Sequence, residues 1–276
     1  MKPNLCFLHI PKTGGTSTSF ILDYAFQRKS IWNYEETYTK LSKDQIAFIQ
    51  NGIGSSMCYI YGGHVTYANY EQAIKACNSQ IMATIREPLQ HFISKFNHDF
   101  NIFIINNKEL IQSLESSQEI NNHGFSKLIT YENVSNFFSI ESILSNNAMN
   151  NYLKAYLSHN DKLADIDYLI PAHDSERALQ LFMHKWNRDC FKLHRRDPAI
   201  IGGVQTNVKL NEGATRIFTV TFREDVKKSI KESLADSYFT YNELLLKYKE
   251  DFMIEKEKGF KYKKQPFAQF VLDQTW

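Results

Sequence analysis

The stretch Leu5-Cys6-Phe7-Leu8-His9-Ile10-Pro11-Lys12-Thr13-Gly14-Gly15-Thr16-Ser17 restricts this chain more than any other part of it. Its apolar first half has the length and content of a buried strand over 5–10, which Pro11 ends. A lysine, two glycines and three hydroxyl residues follow. Then Phe20, Ile21, Tyr24 and Ala25 recur on one face of a helix predicted over 15–27. Strand, glycine-rich turn and helix N-terminus together make an anion cradle. Glycines let backbone N–H groups approach an oxyanion, the helix end supplies a positive dipole, and lysine adds a mobile full charge. The residues from Lys12 through Thr13, Gly14, Gly15 and Thr16 to Ser17 are therefore candidates to hold a phosphate or a group shaped like one. A nucleoside-triphosphate loop would carry its lysine after the second glycine. Here Lys12 precedes both glycines, so the order is a different one.

Two further strand ends carry chemistry. Ser79 to Ile85 reads as a buried strand, Arg86-Glu87-Pro88 follows at once, and Pro88 suits a first helical turn. Leu89, Phe92, Ile93, Phe96, Phe100 and Phe103 then repeat at helical spacing, which predicts a helix over 88–104. Arg86 follows the strand directly, and Ser94 lies eight positions later, about two turns into the helix. Tyr61-Gly62-Gly63-His64-Val65 follows a short strand predicted over 57–61. An imidazole exposed by glycines at a strand's carboxyl end is well sited to accept a proton near neutral pH. His9 and His173 also lie near strand ends, and Glu87 is a weaker candidate base that reads first as a supporting partner or a helix-start carboxylate.

The order I-P-K-T-G-G-T-S resembles the 5′-phosphosulfate loop of sulfotransferases that use 3′-phosphoadenosine 5′-phosphosulfate (PAPS), in particular the carbohydrate branch with the heparan and chondroitin O-sulfotransferases. R-E-P-L-Q-H-F-I-S-K-F resembles that family's 3′-phosphate motif, R-[DE]-P-x-x-R-x-x-S-x-[YF], with His91 where many members have arginine. Gly63-His64 is similar to the segment that carries the base in the heparan 2-O type. Weaker likenesses lie in Asn150 to Leu157, in Asp167 to Leu179 and in Gln205 to Lys209. The resemblance implies a PAPS-dependent O-sulfotransferase acting on a glycan hydroxyl. Lys12 and His64 would be catalytic, the 5′-phosphosulfate would lie over Lys12 to Ser17, and Arg86 and Ser94 would hold the 3′-phosphate, with no metal. Two other readings stand beside it: a nucleotide or sugar kinase sharing the strand–loop–helix core, and an inactive homologue that binds nucleotide or glycan.

Alternating strands and helices predict an α/β fold, a P-loop-like three-layer sandwich with a central parallel sheet flanked by helices. Later elements are a helix at 68–77, a strand at 166–170 and helices at 174–187, 224–234 and 238–250. The length of 276 residues fits a single domain over 1–276. Residues 105–148, rich in Asn and Ser, read as a lid or acceptor-binding insertion or as helices packed outside the sheet, the second preferred. A net charge of +2 gives no ground for nucleic-acid binding, and Arg195-Arg196 and the lysines from 256 to 264 read as solvated faces. Cys6, Cys58, Cys77 and Cys190 form no metal or redox spacing and read as reduced thiols. With no apolar run long enough to span a bilayer and no signal peptide ahead of the first strand, the expectation is a cytoplasmic enzyme. Oligomeric state is not legible.

Overall fold

A computed structural model describes residues 4–16, 18–19, 22, 30–33, 40–52, 59–115, 127–145, 151–190 and 218–264. They divide into two compact units, one within Met1–Arg86, Leu153–Asn207 and Thr240–Trp276, the other within Glu87–Tyr152 and Val208–Phe239. Among the described residues no helix is long and apolar enough to cross a membrane.

The first unit is built on a five-stranded sheet with the order β2-β3-β1-β4-β8. Its strands are β1 (Asn4–Leu8), β2 (Ser30–Asn33), β3 (Ile60–Gly63), β4 (Ser79–Ile85) and β8 (Tyr168–Pro171). Every pairing is parallel; Cys6, for example, lies opposite Tyr61 on one side and Ile81 on the other. Strands buried on both faces need continuous apolar runs, which is what N-L-C-F-L and the end of S-Q-I-M-A-T-I supply. Helices α1 (Lys43–Gly52), α2 (Tyr67–Ala76), α7 (Ser175–Cys190) and the greater part of α9 (Ala235–Glu257) flank the sheet. Thr66 caps α2 by accepting from the Asn69 N–H. The short helix α6 (Tyr152–Leu157) leads into a hairpin of β6 (Ser158–His159) and β7 (Lys162–Leu163).

Most elements of this unit match the sequence reading. The strand at 79–85 agrees residue for residue, whereas β1 stops at Leu8, so His9 and Ile10 leave the sheet earlier than expected. Residues 15, 16, 18, 19 and 22 are helical; the remainder of the helix predicted over 15–27 lies outside the described residues, as do Met57, Cys58, Asn150, Arg195, Arg196 and Gln205 to Lys209. Strand β2 and helix α1 carry too little periodic apolar character to be legible.

The second unit holds α3 (Pro88–Asn106), α4 (Lys108–Glu115), β5 (Lys127–Thr130), α5 (Ile140–Leu144), β9 (Phe218–Thr221) and α8 (Glu224–Ser233). The described residues of the 105–148 segment fall here and include a strand, β5, which pairs in parallel with β9. Phe92, Phe96 and Phe100, one turn apart on α3, sit at the centre of an aromatic core with Phe138, Phe218 and Phe222. The other edge of β9 is closed by side chains. Asn97 donates to the Val220 carbonyl at 3.2 Å and accepts from its N–H at 2.6 Å; Asn101 does the same for Phe218 at 2.8 and 3.0 Å. Two amides one turn apart thus stand in for a neighbouring strand, and both are buried.

Replacing Asn97 by leucine keeps the volume but leaves a buried N–H and C=O of Val220 without partners. Urea denaturation should show a loss of about 2–5 kcal/mol. A loss under about 1 kcal/mol would mean that the amide is not what satisfies β9.

Candidate functional site

Three adjacent strands, β3, β1 and β4, deliver their carboxyl ends side by side, and each is followed by one of the candidate groups: His64, the loop Lys12 to Thr16, and Arg86. The chain leaves β1 toward β2 on one side of the sheet and leaves β4 toward β8 on the other. In open α/β sheets such a reversal opens a crevice beyond the strand ends, the usual place for a ligand.

The loop after β1 is tightly specified. Lys12 takes a left-handed backbone with φ 67° and Gly14 follows at φ 87°, so the chain reverses sharply before helical residues begin at Gly15. For lysine this conformation is uncommon and needs support. Thr13 provides some of it: its hydroxyl donates to the Ile10 carbonyl at 2.6 Å and lies 2.6 Å from the Thr84 hydroxyl. Because the one Thr13 proton goes to Ile10, Thr84 is the donor in that pair. Arg86 provides the rest, with Nη1 donating to the Lys12 carbonyl at 3.1 Å. The guanidinium that the sequence suggests as an anion clamp therefore also ties down the loop. Lys12 is half-buried, while Gly14 and Thr16 are exposed, leaving the loop open to a ligand.

His64 follows two glycines with left-handed φ, Gly62 at 138° and Gly63 at 115°. At Gly62 a Cβ would come within 2.0 Å of the Phe7 carbonyl oxygen, so β3 and β1 can pair here only around a glycine. The Gly63 carbonyl accepts from the His9 and Val65 N–H groups at 2.9 and 2.8 Å, which fixes the turn carrying His64. His64 is half-buried, and its ring centroid is 4.6 Å from that of His9.

The other strand-end histidines are placed differently. His9 is 2% exposed and stacks on Phe7, whereas His173 is exposed, with Nδ1 3.3 Å from the Tyr241 hydroxyl. Burial first, then the neighbouring His64 and Lys12, lower the His9 pKa to about 3. It is uncharged at any pH near neutrality and closed to solvent, which leaves His64 as the accessible imidazole of the pair.

Of the remaining candidates, Ser17 lies outside the described residues. Ser94 is half-buried on the second turn of α3, in the second unit. Glu87 is the N-cap of α3, accepting from the Gln90 N–H at 2.7 Å and from the Tyr238 hydroxyl, as a helix-start carboxylate should. His91 is buried and stacked on Tyr152 with centroids 3.7 Å apart, a packing role. Among the described residues no cluster of three or more His, Cys, Asp or Glu could hold a metal ion. Sequence reasoning missed Thr84; its signal was one hydroxyl in the apolar run ahead of Arg86. It noted His9 only as another strand-end imidazole.

No protein-family model, no curated protein and no solved structure matches this chain.

The depressed His9 pKa has a sign. Unfolded, His9 binds a proton below its ordinary value of 6.5, while folded it does not until about 3, so protonation favours the unfolded chain progressively as pH falls between those values. Stability should therefore decline on acidification through this window. The decline should be shallower in His9→Phe, which preserves the ring stack without the titration, as read by thermal melts at a series of pH values. An unchanged slope would assign the acid lability to other groups.

Proposed function

We propose that this chain is a PAPS-dependent O-sulfotransferase acting on a glycan hydroxyl, on a P-loop-like three-layer sandwich. The observation that carries the reading is the convergence of the Lys12–Thr16 loop, His64 and Arg86 on adjacent parallel strand ends, with Arg86 bonded to the loop itself. The residues fit a donor with a doubly charged group at each end of an adenosine. The loop offers backbone N–H groups at a helix start beside a lysine, and Arg86 brings a second cation from the next strand. The role of Ser94 at the 3′-phosphate, and of Ser17 at the loop, rests on the motif alone.

When bound, the donor supplies a sulfuryl group held on a phosphate leaving group. His64 accepts the proton of the acceptor hydroxyl as its oxygen bonds to sulfur, and the bond from sulfur to the 5′-phosphate oxygen breaks. Lys12 and the loop N–H groups offset the charge that grows on that leaving oxygen, the kind of preorganised electrostatic effect that dominates many group transfers. Holding both reactants on one sheet edge supplies much of the remainder. A half-buried imidazole in neutral form suits the proton step. A carbohydrate acceptor is proposed from the family likeness, and a cytoplasmic setting from cysteines that read as reduced thiols.

Isothermal calorimetry with adenosine 3′,5′-bisphosphate, in EDTA, tests the reading directly. Binding without metal is expected, whereas a requirement for ATP with Mg²⁺ would favour a kinase. Arg86→Ala should weaken the bisphosphate by about 2–4 kcal/mol. Lys12→Ala should lower turnover of labelled PAPS by about a hundredfold. Unchanged bisphosphate affinity in Arg86→Ala would remove the clamp from the assignment.

A further inference from the structure

We propose that His9 is a positioning residue of this site, a buried imidazole wedge that holds the anion loop and His64 in fixed relation to each other. What the pair accomplishes rests on the sulfuryl-transfer reading; the wedge itself rests on geometry.

The His9 ring meets the site on two sides. Toward the loop, a Cβ added at Gly15 would lie 1.9 Å from His9 Cδ2 and 2.4 Å from Nε2. Gly15 has no left-handed φ and begins a helix, so backbone freedom is not what the position requires. It requires space, and His9 fills that space. Toward β3, the His64 ring lies 4.6 Å away, inclined at 58°. Behind, Phe7 is stacked at 5.7 Å with planes 13° apart, which sets the plane of the His9 ring. The His9 main chain adds a link of its own, its N–H bonded to the Gly63 carbonyl in the turn that carries His64. Backbone and side chain of one residue thus reach both functional loops.

Imidazole is suited to this place for a physical reason. The titratable groups acting on it are His64 from the turn after β3 and Lys12 from its own loop. Burial beside these keeps His9 uncharged where an imidazole base operates, so the wedge adds no charge that varies with pH. A phenyl ring would match the shape and fill the same space. Displacing a reacting group by about 1 Å can cost a hundredfold in rate, so a wall that fixes His64 has kinetic weight.

The test uses the full chain with ¹³C,¹⁵N-labelled histidine. In the wild type, nuclear Overhauser contacts are expected from the His9 ring to the Gly15 α-protons and to the His64 ring. In His9→Ala, which empties the space between Gly15 and His64, the His64 ring shifts and titration midpoint should move. kcat should fall by up to about a hundredfold, with a displaced acid limb of its pH profile and a smaller change in KM for PAPS. His9→Phe, which restores the ring without its titration, should recover part of the loss. A folded His9→Ala whose His64 resonances and pH profile are unaltered overturns the proposal. If that variant does not fold, absence of the wild-type contacts overturns it. Should the wild type fail to bind adenosine 3′,5′-bisphosphate, the sulfotransferase reading falls, while the His64 shifts still decide the role of His9.

Discussion

Strand β1 is bonded along both edges, to β3 and to β4, and all five of its residues are buried. The chain that emerges at His9 is therefore fixed in position and direction before the loop begins. Every later feature of the site depends on that. The Gly63 carbonyl meets the His9 N–H because β3 is in register with β1, and Thr84 reaches Thr13 because β4 is in register on the other side. A slip of one residue in either pairing would turn these groups to the opposite face.

The loop is held from the protein side by hydroxyls and a guanidinium, and it presents its opposite surface outward. The hydroxyl protons of Thr13 and Thr84 are both spent within the protein, so these two hydroxyls support the loop. One nitrogen of Arg86 fixes the Lys12 carbonyl while the planar group stays at the end of β4. Arginine can do this because its donors are spread around a rigid fork; a lysine at the same position would have a single point of charge.

The parts of the fold legible in the sequence were those with local, repeated signals: S-Q-I-M-A-T-I as a strand, Pro88 opening a phenylalanine-lined helix, glycines beside Lys12 and His64. The parts that were not legible depend on partners far away in the chain. β5 and β9 are separated by most of the protein's middle and pair only in three dimensions. Asn97 and Asn101 look like poor helix residues until the strand they serve is seen. His9 gave a similar problem. Its place in the chain marked a strand end, but its importance comes from the absent Cβ of Gly15 and the neighbouring ring of His64, and neither is a property of sequence spacing.

The asparagine pair on α3 has a further consequence. A ribbon of two parallel strands leaves a rim of peptide groups that another polypeptide could adopt as a template, the route by which small sheets recruit strangers and grow into fibres. Along β9 that invitation is withdrawn at Phe218 and Val220, since carboxamides already occupy the donors and acceptors an incoming strand would use. A helix thereby closes that edge of the pair without adding a third strand to it.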